Sequence, residues 1–344
     1  MAPGCAHDGC YHVVKILLGS HHFFPSTGGI ETVSRLLARE FVELGHEVRV
    51  VTQTAGDGDF PFEIVRRPGP LELLRHLRWC DVFLQNNISL RTLWPLFFVR
   101  RPLFIAHQTW ITNPDGGTGW QHRLKRFVLR YATSFAISRA IAETLPVPSI
   151  PVGNPYDDEV FKESLNEQRS RELIFVGRLV SDKGANLLLD SMKLLEARPH
   201  LTIAGDGPER AALEKQVADL QLGRQVEFVG RENGEQLAKL LQQHQIIVVP
   251  SLWQEPFGIV ALEGIASGCV VVGSAGGGLA EAIGPCGVTF PNGDAAALAK
   301  AIAGLLADPD ECTRLRQPAP THLARFTPRH IAEIYLDAMG KTLR

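Results

Sequence analysis

Apolar and polar residues alternate along this chain in two periods, one of strands and one of helices. Residues 13–18 form a short apolar run ending at Gly19, as a strand buried on both faces of a parallel sheet does. A polar turn follows through Pro25, Ser26, Thr27, Gly28 and Gly29. Then Ile30, Val33, Leu36, Leu37, Phe41 and Leu44 recur at helical spacing up to Gly45, a helix-stopping position. Residues 47–52 supply the next strand and complete a βαβ unit with a right-handed crossover. The alternation predicts further strands over 62–65, 82–84, 103–106 and 135–137, with helices over 71–77 and 124–131. Pro146, Pro148, Pro151 and Pro155 interrupt it, marking the end of a first sheet and the approach to a hinge. Beyond a polar run over 162–171 the pattern restarts. Strands are expected over 173–176, 201–204, 226–229, 246–249, 270–272 and 288–290, and helices over 185–197, 209–220, 236–243 and 295–306.

With 344 residues the chain is too long for one ordinary core. The pattern predicts an α/β protein of two Rossmann-like domains with parallel sheets, over 1–155 and 156–326. A last helix, about 327–344, is expected to pack back on the first domain. Ligands of such sheets bind beyond the carboxyl ends of the strands, so two domains facing each other would enclose the site in a central cleft. At 45% hydrophobic and 21% charged residues the composition is that of a globular protein. No apolar run approaches the roughly 18 residues of a membrane span, and the first dozen residues lack the pattern of a secretory signal. A cytoplasmic protein is expected, and the six scattered cysteines suggest no disulfide framework. The spacing of Cys5, His7, Cys10 and His12 matches no standard zinc finger.

Residues 1–154 carry a net charge of +4 and the remainder −6. A basic first half suits an anionic partner, such as a membrane surface or a phosphorylated lipid, and gives no sign of nucleic-acid binding. Residues 122–131 read as a helix with one cationic and one apolar face, and residues 91–101 enclose apolar positions between arginines. Both permit peripheral contact with the inner face of a membrane, although solvated arginines on an ordinary helix fit the same pattern.

Three stretches carry candidate chemistry. Gly28-Gly29-Ile30-Glu31 stands at the turn from the first strand into the first helix, where backbone N–H groups attract phosphate. Arg178 follows the strand ending at Gly177, and Lys183 comes five residues later before a helix. A guanidinium fork and a compact ammonium suit a diphosphate whose charge builds up as a sugar departs. In the third stretch, Glu255 and Glu263 lie eight residues apart around the Pro256-Phe257-Gly258 turn. Carboxylates accept paired hydrogen bonds from sugar hydroxyls, which suits Glu263 to a ribose and Glu255 to a hexose. The apolar neighbours of Glu263 predict a buried carboxylate in need of partners. Asp57-Gly58-Asp59 and Asp308-Pro309-Asp310 resemble the aspartate pair of metal-dependent transferases, but the first falls in a polar loop and the second at a helix start. No metal or other cofactor is expected.

These stretches, with Gly45-His46-Glu47-Val48, Gly205-Asp206-Gly207-Pro208-Glu209, the Gly276-Gly277-Gly278 turn and Phe326, occur over residues 13–340 in an order that resembles the family 4 retaining glycosyltransferases of the GT-B fold. The resemblance implies transfer of a hexose from a UDP- or GDP-sugar to a hydroxyl of a glycan, lipid-linked or small-molecule acceptor. It assigns Arg178 and Lys183 to the donor diphosphate, and Glu263 to the ribose. Glu255 and the turn Phe257, Gly258 and Ile259 fall to the donor sugar. Gly28 and Gly29 would close over the phosphate, Arg231 would lie near the base, and His107 near the transferred sugar. The chain departs from its relatives at Gln108-Thr109-Trp110, which bears on the acceptor, and at Pro155 in the hinge. A GT-B nucleotide-sugar 2-epimerase, a non-catalytic nucleotide-sugar-binding module, and a phosphorylase or sucrose-synthase-like activity are the other readings of the same motifs.

Overall fold

The structure is a computed structural model that describes residues 13–26, 28–111, 119–164 and 169–344. The Cys5, His7, Cys10 and His12 cluster lies outside them. Strands β1 (Lys15–Ser20), β2 (Glu47–Thr52), β3 (Glu63–Arg66), β4 (Val82–Asn86), β5 (Leu103–His107), β6 (Ala132–Ala136) and β7 (Ser149–Pro151) form one sheet in the order β3-β2-β1-β4-β5-β6-β7. Strands β8 (Arg171–Val176), β9 (Leu201–Ala204), β10 (Val226–Gly230), β11 (His244–Val249), β12 (Val270–Ser274) and β13 (Gly287–Phe290) form a second, ordered β10-β9-β8-β11-β12-β13. Pairing is parallel around the centre of each sheet, at β1 with β2 and β4 and at β8 with β9 and β11. Each sheet reverses strand order beside its first strand, the doubly wound arrangement.

Alternation within the strands builds the second sheet's two cores. On β8, Leu173 and Phe175 join one cluster with Leu201, Ile203, Val248 and Leu298, whereas Ile174 joins another with Ile247, Leu262 and Phe257. Successive side chains leave a strand on opposite faces, so helices cover both.

The chain divides into two compact units. The first comprises Met1–Ala106, Thr118–Ser134 and Tyr335–Arg344, and the second His107–Gly117 and Phe135–Ile334. In the first, Tyr335 is fully buried with its ring 6.5 Å from that of Phe41. The expected elements are present, with shifted ends. The strand expected over 135–137 is β6, which starts three residues earlier and ends at Ala136, and the helix expected over 124–131 is Trp120–Val128 followed by a 3-10 turn. The helix expected over 185–197 stops at Lys193. The proline-rich stretch does not simply end the sheet, because residues 149–151 add the edge strand β7. Proline, lacking an N–H, is tolerated at such an edge. No helix among the described residues is long and apolar enough to cross a membrane.

Candidate active site

The second unit gathers most of the predicted residues where its central strands end. Gly177 N–H donates to Ala204 O at 3.1 Å, and Leu179 N–H to Asp206 O at 2.9 Å, so the turns after β8 and β9 interlock. A Cβ on Gly205 would stand 1.9 Å from Gly177 O, and one on Gly207 2.3 Å from Leu179 O. Only glycine permits that approach. Arg178 leaves this paired turn exposed and makes no salt bridge with a described residue.

Lys183 ends a 3-10 turn, Ser181–Lys183, that is fastened to the loop after β11. Asp182 O accepts N–H groups of Leu252 and Trp253, at 2.9 and 3.3 Å. Gly184, at φ +70°, approaches the Pro250 carbonyl so closely that a Cβ would stand 2.0 Å from its oxygen. The result brings Lys183 Nζ onto Glu255 Oε1, to which Ser251 Oγ also donates at 2.7 Å. The two charged groups, predicted to serve different parts of a ligand, are therefore paired.

Glu255 is held from its other side by the turn after β12. Residues 255 and 277 form a parallel bridge, and Gly278 N–H donates to Glu255 O at 2.7 Å. Cβ atoms on Gly277 and Gly278 would stand 2.2 Å from the carbonyl oxygens of Glu255 and Pro256. Asn292, beyond β13, completes the frame. Its Oδ1 accepts from Gly276 N–H at 2.7 Å and its Nδ2 donates to Ser251 O at 3.0 Å. Sequence patterning missed Asn292 and Ser251, since neither stands out beside the conspicuous glycines. Phe257 is buried against Phe326, and Gly258, at φ +100°, opens the helix Ile259–Ala266. That helix carries Glu263 on its half-buried side. The Glu263 carboxyl makes no hydrogen bond to a described residue, contrary to the partners its surroundings call for. Burial first, and then the Asp157 carboxylate, push its pKa up to about 7.

His107, the last residue of β5, is 1% exposed, and burial pushes its pKa down to about 4, so the ring is neutral at pH 7. Three residues on, Trp110 Nε1 donates to Gln254 O at 3.1 Å, which ties the segment after β5 to the Glu255 loop. Arg231, after the edge strand β10, is exposed and separated from β8 by β9. Gly28 and Gly29 lie in the first unit. Gly28 has extended backbone and precedes the helix Gly29–Glu43. Among the described residues no cluster of three or more His, Cys, Asp or Glu side chains could hold a metal ion. Asp308 instead caps a helix, accepting from Glu311 N–H at 2.9 Å.

Comparison with known proteins supplies the rest. Residues 157–322 match the model of the family described as glycosyl transferases group 1. The chain is 40% identical over 142 residues to an uncharacterized glycosyltransferase of Methanocaldococcus jannaschii, covering 38% of this chain and 36% of that one. It is 38% identical over 178 residues to a glycogen synthase of Mycobacterium tuberculosis, covering 48% and 42%. It thus spans about two fifths of the length of these curated relatives. Among solved structures, Anabaena HepE in complex with UDP-glucose superposes with a TM-score of 0.79 at 20% identity, over 95% of this chain and 100% of that one. The chain carries the GT-B fold, and the match to the group 1 glycosyltransferases covers its residues 157–322, just under half of its length.

Proposed function

We propose that this chain is a hexosyltransferase that uses a nucleotide-diphosphate sugar, retains anomeric configuration and needs no metal. The observation that carries the reading is the frame around Glu255. Lys183, Ser251, the glycine turn and Asn292 converge there, beside the exposed Arg178, inside the domain that matches the glycosyltransferase family. A structural neighbour that binds UDP-glucose supports a nucleotide-sugar donor.

On this reading Arg178 and Lys183 stabilise the diphosphate as negative charge accumulates on it, Glu263 accepts the ribose hydroxyls, and Glu255 those of the hexose. Ionic contacts that strengthen with the leaving group's charge act on the transition state more than on the ground state. Retention through a covalent glycosyl-enzyme requires a carboxylate nucleophile and an acid/base residue about 5 Å apart. Lys183 and Ser251 already engage Glu255, which suits it to holding hydroxyls. Same-face attack accounts better for these residues. The acceptor hydroxyl enters beside the departing diphosphate, whose oxygen takes the proton while the acceptor oxygen bonds to the anomeric carbon. His107, neutral, contributes a hydrogen bond near the sugar. The acceptor is a hydroxyl of a glycan, a lipid-linked sugar or a small molecule, and a lipid-linked one would also account for the basic first half of the chain.

The test is turnover of UDP-, GDP- and ADP-glucose with and without EDTA. Release of nucleoside diphosphate that survives EDTA is expected. Complete loss with rescue by manganese would overturn the metal-free reading. Conversion of the donor to an isomeric nucleotide sugar, without release, would identify an epimerase.

A further inference from the structure

The helix Trp120–Val128 has no fully buried side chain among its described residues, although its sequence has a marked apolar face. Trp120, Leu124, Phe127, Val128 and Tyr131 recur at helical spacing and fall on one stripe. Trp120 is 71% and Tyr131 72% exposed, and the rings of Phe127 and Tyr131 lie 5.4 Å apart. Arg123, Arg126 and Arg130 follow one flank of that stripe, and Lys125 stands on the other.

A second exposed pair lies on the same face of the sheet. Phe97 (81%) and Phe98 (73%) lie in the connection from β4 to β5, shortly before Arg100. The helix 120–128 connects β5 to β6. Because β4, β5 and β6 are successive neighbours in the sheet, right-handed crossovers put both connections on one face of it. Arg100, Arg123, Arg126 and Arg130 are exposed and form no salt bridge with described residues. Between Asp81 and Glu143 the sequence holds eight Lys and Arg residues against a single acidic one, Asp115. A monomer seldom leaves such aromatics in water without a use for them. Aromatic side chains flanked by arginines match an interface with an apolar interior and an anionic surface.

We propose that this face of the first unit docks on an anionic lipid bilayer. The aromatic stripe enters the headgroup region and the arginines contact lipid phosphates. Each basic side chain near such a surface strengthens partitioning about fivefold.

The experiment is co-sedimentation of the full chain with sucrose-loaded vesicles of phosphatidylcholine alone, or with three tenths phosphatidylglycerol. Sedimentation with the anionic vesicles, at least tenfold weaker with neutral ones and lost in 0.5 M NaCl, is expected. Joint replacement Arg123→Glu, Arg126→Glu, Arg130→Glu should lower binding more than tenfold. Trp120→Ser with Tyr131→Ser should lower it while leaving the circular dichroism spectrum and melting temperature unchanged. Should the triple variant fail to fold, Arg130→Glu alone and the wild-type salt titration carry the test. Absence of binding to anionic vesicles, equal binding to neutral ones, or wild-type binding by folded variants would overturn the proposal. So would a dimer in gel filtration that Trp120→Ser dissociates, since the face would then belong to a second copy.

Discussion

Lys183 and Glu255 are paired with each other, so a donor must exchange their contact for its own. A partly exposed pair of this kind contributes about 0–1 kcal/mol, which a diphosphate and a hexose can replace. Lys183→Ala is therefore expected to spare folding and to slow turnover about ten- to a hundredfold, and wild-type rates in that variant would remove Lys183 from the site. Glu263 leads to a sharper expectation. Its pKa rises from 4.5 to about 7 in the folded chain, so the native state holds a proton that the unfolded state has lost between those values. Stability from this group accordingly falls as pH rises from 4.5 through 7, and Glu263→Gln should raise the melting temperature above pH 7 relative to wild type. His107 and His244 act in the opposite sense. Their pKa values fall from 6.5 to about 4, so protonation in the folded state costs stability as pH drops through that window. If ribose hydroxyls donate to an ionised Glu263, nucleoside diphosphate binding at pH 7 should release about half a proton. Calorimetry in buffers of different ionisation enthalpy would detect it, and no buffer dependence would separate Glu263 from the nucleotide.

The strands and their order of appearance were legible, because apolar runs bounded by glycine and proline mark buried parallel strands whatever the tertiary context. Helix ends were less so, as the helix beginning at Ala185 shows. Its apolar spacing continues past Lys193, yet the chain turns at Leu194. The edge strand β7 was hidden because proline signals a break in most contexts and an edge in few. In the site, glycines were visible in sequence but their reason was not. Gly184 must pass the Pro250 carbonyl, and Gly205 the Gly177 carbonyl, contacts that join turns far apart along the chain. Gly184→Ala combines a left-handed backbone with a 2.0 Å contact to a backbone oxygen. It should cost more than the roughly 1 kcal/mol of a glycine-to-alanine change at positive φ in open space. Unfolding in urea measures this, and a loss below that value would show that the turn relaxes freely. Asn292→Ala removes four loop-to-loop hydrogen bonds, and should lower catalytic rate more than nucleotide affinity because it frees the Glu255 loop. An unchanged rate would restrict Asn292 to stability.

For the whole molecule, the two doubly wound sheets follow from alternation alone, whereas the activity rests on the residues that one sheet brings together. Neither the donor base nor the acceptor was legible, because both depend on loops whose side chains no periodicity dictates; Trp110, bound to Gln254, shows such a loop taking its own course. A donor present at a hundred times its dissociation constant should stabilise the fold by about 2.7 kcal/mol, so thermal-shift screening with UDP-, GDP- and ADP-glucose identifies the nucleotide. The most direct test of the central claim is then an NMR time course with that α-linked donor, following the anomeric proton of the first sugar product with water or an added hydroxyl acceptor. Release of nucleoside diphosphate together with an α-configured first product is the expected result. A β-configured first product would contradict retention, and an intact donor under conditions where it demonstrably binds would contradict the transferase itself.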